Sequence, residues 1–189
     1  MDLNSILGLL DNDKIEKMSN QSGLNKNQTV SALSAVVPTL LTALKGNSQS
    51  KLGQKQLATA LEKDHDGSLL DNLSGFLDNP KAVNGKGILN HTLGSRRTKV
   101  EGMLSQKTGV SSGSMSKIME MAAPLVMAYL GKEKKQSNVQ SNGIGGMLSN
   151  LLGGIDSNGD GVDLGDIANL FITKKKGGIA GFIGGLLGK

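Results

Sequence analysis

The densest chemistry in the sequence is the run Asp156-Ser157-Asn158-Gly159-Asp160-Gly161-Val162-Asp163-Leu164-Gly165-Asp166. Oxygen ligands at positions 1, 3 and 5, a glycine at 6 and a backbone carbonyl at 7 are what a short loop needs to wrap a hard, oxygen-seeking Ca²⁺. The spacing makes Asp156, Asn158 and Asp160 side-chain ligands and Val162 a carbonyl ligand, an EF-hand-like loop. It departs from that pattern at position 12, where Ile167 replaces the usual bidentate Glu. Asp163 or Asp166 then has to close a shortened loop. A less regular counterpart lies upstream: Glu62, Asp64, Asp66, Gly67, the carbonyl of Ser68, and Asp71 or Asn72. Both runs also suit an Asx/Gly turn whose acids cap the next helix. Ca²⁺ is the one cofactor these residues imply.

Catalytic patterns are not read from this sequence. The only histidines are His65 and His91; His65 falls in a loop expected to face water and His91 in a short apolar helix. Neither has a partner in sequence that would make it a general base. The absence of Cys removes disulfides, zinc thiolates and thiol catalysis. Gly143-Ile144-Gly145-Gly146 lacks the strand and the Gly-Lys-Ser/Thr ending of a phosphate loop. The expectation is a non-enzyme with no small-molecule substrate.

The elements that must position the acidic loops come from an internal repeat. A shift of 86 positions carries Leu3-Asn4-Ser5-Ile6-Leu7-Gly8 onto Leu89-Asn90-His91-Thr92-Leu93-Gly94, and Ser19, Gly23, Pro38 and Leu44 onto Ser105, Gly109, Pro124 and Leu130. After a polar linker at 132–142 the shift becomes 94. It then pairs Leu57, Leu61, Asp66, Gly67 and Leu70 with Leu151, Ile155, Asp160, Gly161 and Leu164. It also carries residues 87–94 onto 181–188. The organisation read from this is repeat A at 1–86, repeat B at 87–180, and the Gly/Leu-rich start of a third repeat at 181–189.

Of the 189 residues, 37% are apolar, with no Trp, one Tyr and three Phe. A core of Leu, Ile, Val, Met and Ala suits helices packed on helices. The fold class expected is all-α and multihelical, two tandem structural repeats in a pseudo-twofold relation. Apolar spacing predicts long helices over 27–45 and 112–130, stopped by Gly46 and Gly131 and kinked or interrupted at Pro38 and Pro124. Shorter helices are expected near 2–10, 13–21, 50–62, 68–78, 88–93, 96–107, 143–153, 163–173 and 178–187. The methionines at 103, 115, 119, 121 and 127 read as core.

Three segments carry a family likeness: Asp64-His65-Asp66-Gly67-Ser68-Leu69-Leu70-Asp71, residues Gly85 to Gly94, and Ala123-Pro124-Leu125-Val126-Met127-Ala128-Tyr129-Leu130-Gly131-Lys132. In that order they resemble the YidB-like family 937 of bacterial domains of unknown function, over about 1–132. The resemblance implies a compact multihelical fold and no activity.

The net charge of +5 is spread over Lys residues with almost no aromatics between them, which argues against a nucleic-acid surface. Met1 leads into Asp2 and Asn4 with no basic and apolar leader, and no run approaches the roughly 20 apolar residues of a membrane span. Cytoplasm is the default expectation, with export by another route left open. The partner expected is another copy of the chain, reached through the C-terminal tail. A membrane surface is the alternative, because Lys174-Lys175-Lys176 precedes the apolar segment Gly177–Lys189.

Overall fold

Capping residues decide where the helices of this chain begin. The computed structural model describes residues 3–153, and among these it holds nine α-helices and no strand: α1 (Leu3–Leu7), α2 (Asn12–Ser22), α3 (Lys26–Asn47), α4 (Lys51–Lys63), α5 (Leu73–Asp78), α6 (Gly85–Leu93), α7 (Arg97–Thr108), α8 (Ser112–Gln136) and α9 (Ile144–Gly153). The chain is all-α, as its composition implies. Asp11 opens α2 by accepting from the Lys14 amide at 3.0 Å. Asn25 opens α3 with a capping box, accepting from the Gln28 amide at 2.8 Å while the Gln28 side chain accepts from the Asn25 amide at 3.1 Å. Ser111 opens α8 by accepting from Ser114 N. The turns before α3 and α8 rest on Gly23 (φ 76°) and Gly109 (φ 68°), a backbone region glycine enters without strain.

The two long helices form the centre. Every residue from Ala35 to Leu44 in α3 and from Met121 to Gly131 in α8 is buried. A helix apolar on all sides has to be enclosed on all sides, and here α3 and α8 lie against each other with the rest around them. α2, α6 and α7 each pack on both; α4 packs on α8, and α9 on α3 and α4. Met115, Met119, Met121 and Met127 belong to this core, as does Tyr129, the only tyrosine.

Two expectations are corrected. Of the kink or interruption expected at Pro38 and Pro124, the interruption does not occur: α3 and α8 run through both. An interior proline costs about 3 kcal/mol, and enclosure on every side holds these helices together across the gap. Gly131 does not stop α8, which continues to Gln136, so the first five residues of the expected linker 132–142 are helical. By length and composition alone α3 is apolar enough to cross a bilayer, but most of that stretch is buried inside the fold. The helices expected at 163–173 and 178–187 lie outside the described residues.

Leu41 is fully buried, while Leu52 on α4 is 66% exposed. Leu41→Ala is expected to lower unfolding stability by about 2–5 kcal/mol through lost burial and a cavity. Leu52→Ala should stay within about 0.5 kcal/mol. Urea unfolding followed by far-UV circular dichroism checks both.

Candidate functional site

The first acidic loop joins α4 to the 3₁₀ turn Ser68–Asn72 and lies against the last turns of α8. Three contacts seat it there. Gly131 lets the loop backbone come so close that a Cβ at that position would collide with the His65 carbonyl. Gly67 sits at φ 100°, where a Cβ would lie 2.8 Å from that of Lys132. Lys134 Nζ donates to Glu62 Oε1 at 2.6 Å, although Glu62 itself is largely exposed.

These contacts distribute the acids rather than gather them. Glu62 faces Lys134. Asp64 is the C-cap of α4. Asp66 accepts from the Ser68 amide at 3.1 Å in an Asx-type turn, and that bonding lowers its pKa. Ser68 and Asp71 are exposed on the 3₁₀ turn, and Asn72 caps α5 by accepting from the Gly75 amide. The expected Ca²⁺ set of Glu62, Asp64, Asp66, Ser68 and Asp71 is therefore not brought together. Among the described residues no three Asp, Glu or His side chains stand as a metal-binding group. The physical reason is that Lys134, 72 residues away, takes the first ligand while the turn's own amide takes the third. The second loop, with Asp156, Asn158, Asp160, Val162, Asp163 and Asp166, lies outside the described residues.

The two histidines, read separately in the sequence, line one groove between α4 and α6 of about 810 Å³. Asp64 joins them on its wall, with Leu52, Ile88 and Met127 supplying apolar surface. His65 is half-buried, and burial pushes its imidazole pKa down, towards the neutral form. The groove lacks any cysteine, and of its two hydroxyl residues, Ser50 and Thr92, Ser50 already caps α4 by accepting from the Gly53 amide.

Sequence reasoning missed two charged features. Arg97 opens α7 and ties three helices together: its Nε donates to Glu101 at 2.7 Å, and its outer nitrogens donate to Glu120 at 2.6 Å, Ser116 at 3.0 Å and Asn90 at 3.2 Å. Burial works against the charge of this guanidinium, and the bonds to Glu101 and Glu120 outweigh it, holding it more firmly cationic than usual. The other is Glu133 in the last turn of α8, 6% exposed, with Oε2 buried and without a hydrogen-bond partner among the described residues. Burial raises its pKa, against the weaker pull of the Lys132 charge. An orphaned buried carboxylate costs stability, so its signal in the sequence was an acid placed inside an apolar helix face.

The chain is similar over residues 4–133 to a family described as bacterial proteins of unknown function, DUF937. No curated protein and no solved structure matches it.

The raised pKa of Glu133 fixes the sign of a pH effect. The folded state keeps this proton to higher pH than the unfolded chain does. The protonated form's contribution is thus complete below the ordinary glutamate range and lost as pH rises through the raised value. Glu133→Gln should melt higher than the parent at neutral pH and converge with it in acid below that range. Melting temperatures taken from acid to neutral pH check this.

Proposed function

We propose that this chain, which belongs to the DUF937 family of bacterial proteins of unknown function, is a non-enzymatic structural protein that self-associates through its C-terminal extension. Its helical domain arose by duplication, with two units in a pseudo-twofold relation. The observation that carries the reading is the reciprocity of the packing. α2 and α7 each lie on both long helices, α4 lies on α8, and α9 lies on α3. The same shift of 86 pairs the caps Asn25 and Ser111, the left-handed glycines Gly23 and Gly109, and the buried Pro38 and Pro124. Two equal units that cover each other's apolar faces complete a core without a partner. Residues 181–188 repeat the segment that opens each unit, so they read as a further opening element.

Such a segment exposes Phe182, Ile183, Leu186 and Leu187 unless something covers them. A tail that docks on the next chain joins unlike surfaces, and a contact of that kind propagates when its rotation does not close. In this reading Asp156, Asn158, Asp160, the Val162 carbonyl, Asp163 and Asp166 bind Ca²⁺ and offset the repulsion among their carboxylates ahead of the tail.

Sedimentation across a concentration series tests the reading. The full chain should form oligomers, and a chain ending at Lys176 should remain monomeric. Equal sizes for the two would overturn it. Adding Ca²⁺ at about 1 mM should raise the melting temperature of the full chain, and a chelator should return it. A full chain that stays monomeric yet floats with anionic vesicles through its tail would favour the membrane-surface alternative instead.

A further inference from the structure

Self-association through the tail, the reading on which this inference rests, requires a seat for the docking segment. The opening helices show what such a seat demands. α6 packs on α8 and α3, with Leu89 and Leu93 fully buried. Its last turn is held to the end of α3 by Asn47, whose Nδ2 donates to the Thr92 carbonyl at 2.8 Å. α1, its counterpart at the shift of 86, also packs on α3 and α8. It buries Ile6, while Leu7, at the place of Leu93, is only half-buried. Among the described residues that last apolar position is filled less completely in α1 than in α6, and a helix end with less buried surface opens more easily.

The same shift carries Asn47 onto Glu133 and Thr92 onto Ile6. Where an amide donor at the end of α3 holds α6, the residue at the matching sequence position in α8 is a carboxylate. An ionised carboxylate only accepts, so it does nothing for a helix-end carbonyl. Its Oε2 is buried and without a partner among the described residues, the state of a group suited to a cation or donor brought from outside.

The tail carries that cation. At the shift of 94, Thr92 corresponds to Leu186 and Ser95 to Lys189, while the equivalent residue after α1 is Leu9. Of the three opening segments, the tail alone has a Lys there, one helical turn beyond the residue that faces the end of the long helix. It also places Ile183 and Leu187 at the positions where α6 buries Leu89 and Leu93. We propose that the seat held by α1 is the docking site for residues 181–189 of a second copy, which displaces α1 and closes Lys189 onto Glu133 of the receiving chain. The pair forms in a water-poor place, which makes it selective for a cationic tail.

The chain has no cysteine, so the pairing can be trapped directly. Chains bearing Glu133→Cys and chains bearing Lys189→Cys, mixed and oxidised mildly, should give the mixed disulfide dimer as the main product. Independently, Lys189→Glu, a change outside the core, should weaken self-association of the full chain by about tenfold, and Glu133→Lys in the same chain should restore it. A mixture that yields only like-with-like dimers overturns the seat. So does a crosslink that appears only when both cysteines are in one chain and runs as a monomer. If the full chain assembles, the chain ending at Lys176 does not, and neither crosslink nor charge reversal acts, then the tail drives assembly from another seat. Equal sizes for the full and shortened chains would defeat the self-association reading itself.

Discussion

The rest of the structure depends on two long helices whose central stretches have no polar side to show to water. Along ten residues of α3 and eleven of α8 every position is buried, so neither helix is stable alone and each needs cover on its whole circumference. Their mutual contact supplies one side. α2, α6 and α7, which straddle both, and α4 and α9, which bridge to one or the other, supply the remainder. The helices on the outside are mostly short, and most of them reach one or both central rods. Several polar side chains inside this arrangement are satisfied locally: Thr39 donates to the Ala35 carbonyl at 2.7 Å, and Ser19 and Thr29 share a hydrogen bond at 2.8 Å where α2 meets α3; Ser105 Oγ and Glu133 Oε2 are buried without a hydrogen-bond partner among the described residues. Enclosure of this completeness also lets each rod carry a proline without breaking.

Electrostatics then acts at the ends of the rods. At the start of α8, Arg97 gathers Glu101 and Glu120 and fixes the angle between α7 and α8. At its far end the chemistry is mixed: Lys134 holds Glu62, Gly131 admits the loop carrying His65, and Glu133 keeps a buried oxygen with no hydrogen-bond partner among the described residues. Partly buried, multiply bonded cations such as Arg97 contribute to specificity, whereas the exposed partner in the Lys134 pair limits that bridge to a small effect. The acidic loop of residues 62–72 is thus a structural joint, its turn chemistry used for capping and its conformation dictated by what α8 permits.

Much of this was legible in the sequence because the signals were local. The 3.6-residue spacing of apolar side chains placed the start of both rods within one residue of where they lie, and the shift of 86 paired Gly23 with Gly109, which take the same left-handed turn before them. Misreadings came where a residue type has two uses. Gly131 has the look of a helix stop, yet its role is the missing Cβ that admits the His65 carbonyl, a contact across 66 positions that no local pattern encodes. The acids at 62–72 have ligand spacing, but whether carboxylates converge depends on Lys134, and that too is a long-range fact. The shared groove of His65 and His91 and the gathering of Glu120 by Arg97 escaped for the same reason. Spacing states what a segment is able to offer; the far side of the fold decides what is taken up.

Tyr129 has a consequence of a different kind. It is the only tyrosine in a chain without tryptophan, and it lies in the buried stretch of α8 at 5% exposure. The tyrosine absorption, fluorescence and near-ultraviolet circular dichroism of this protein therefore come from one ring at one place, the packed interior of a central rod. The molecule thus carries one built-in tyrosine probe, in the buried stretch of α8, that reports whether the centre is closed.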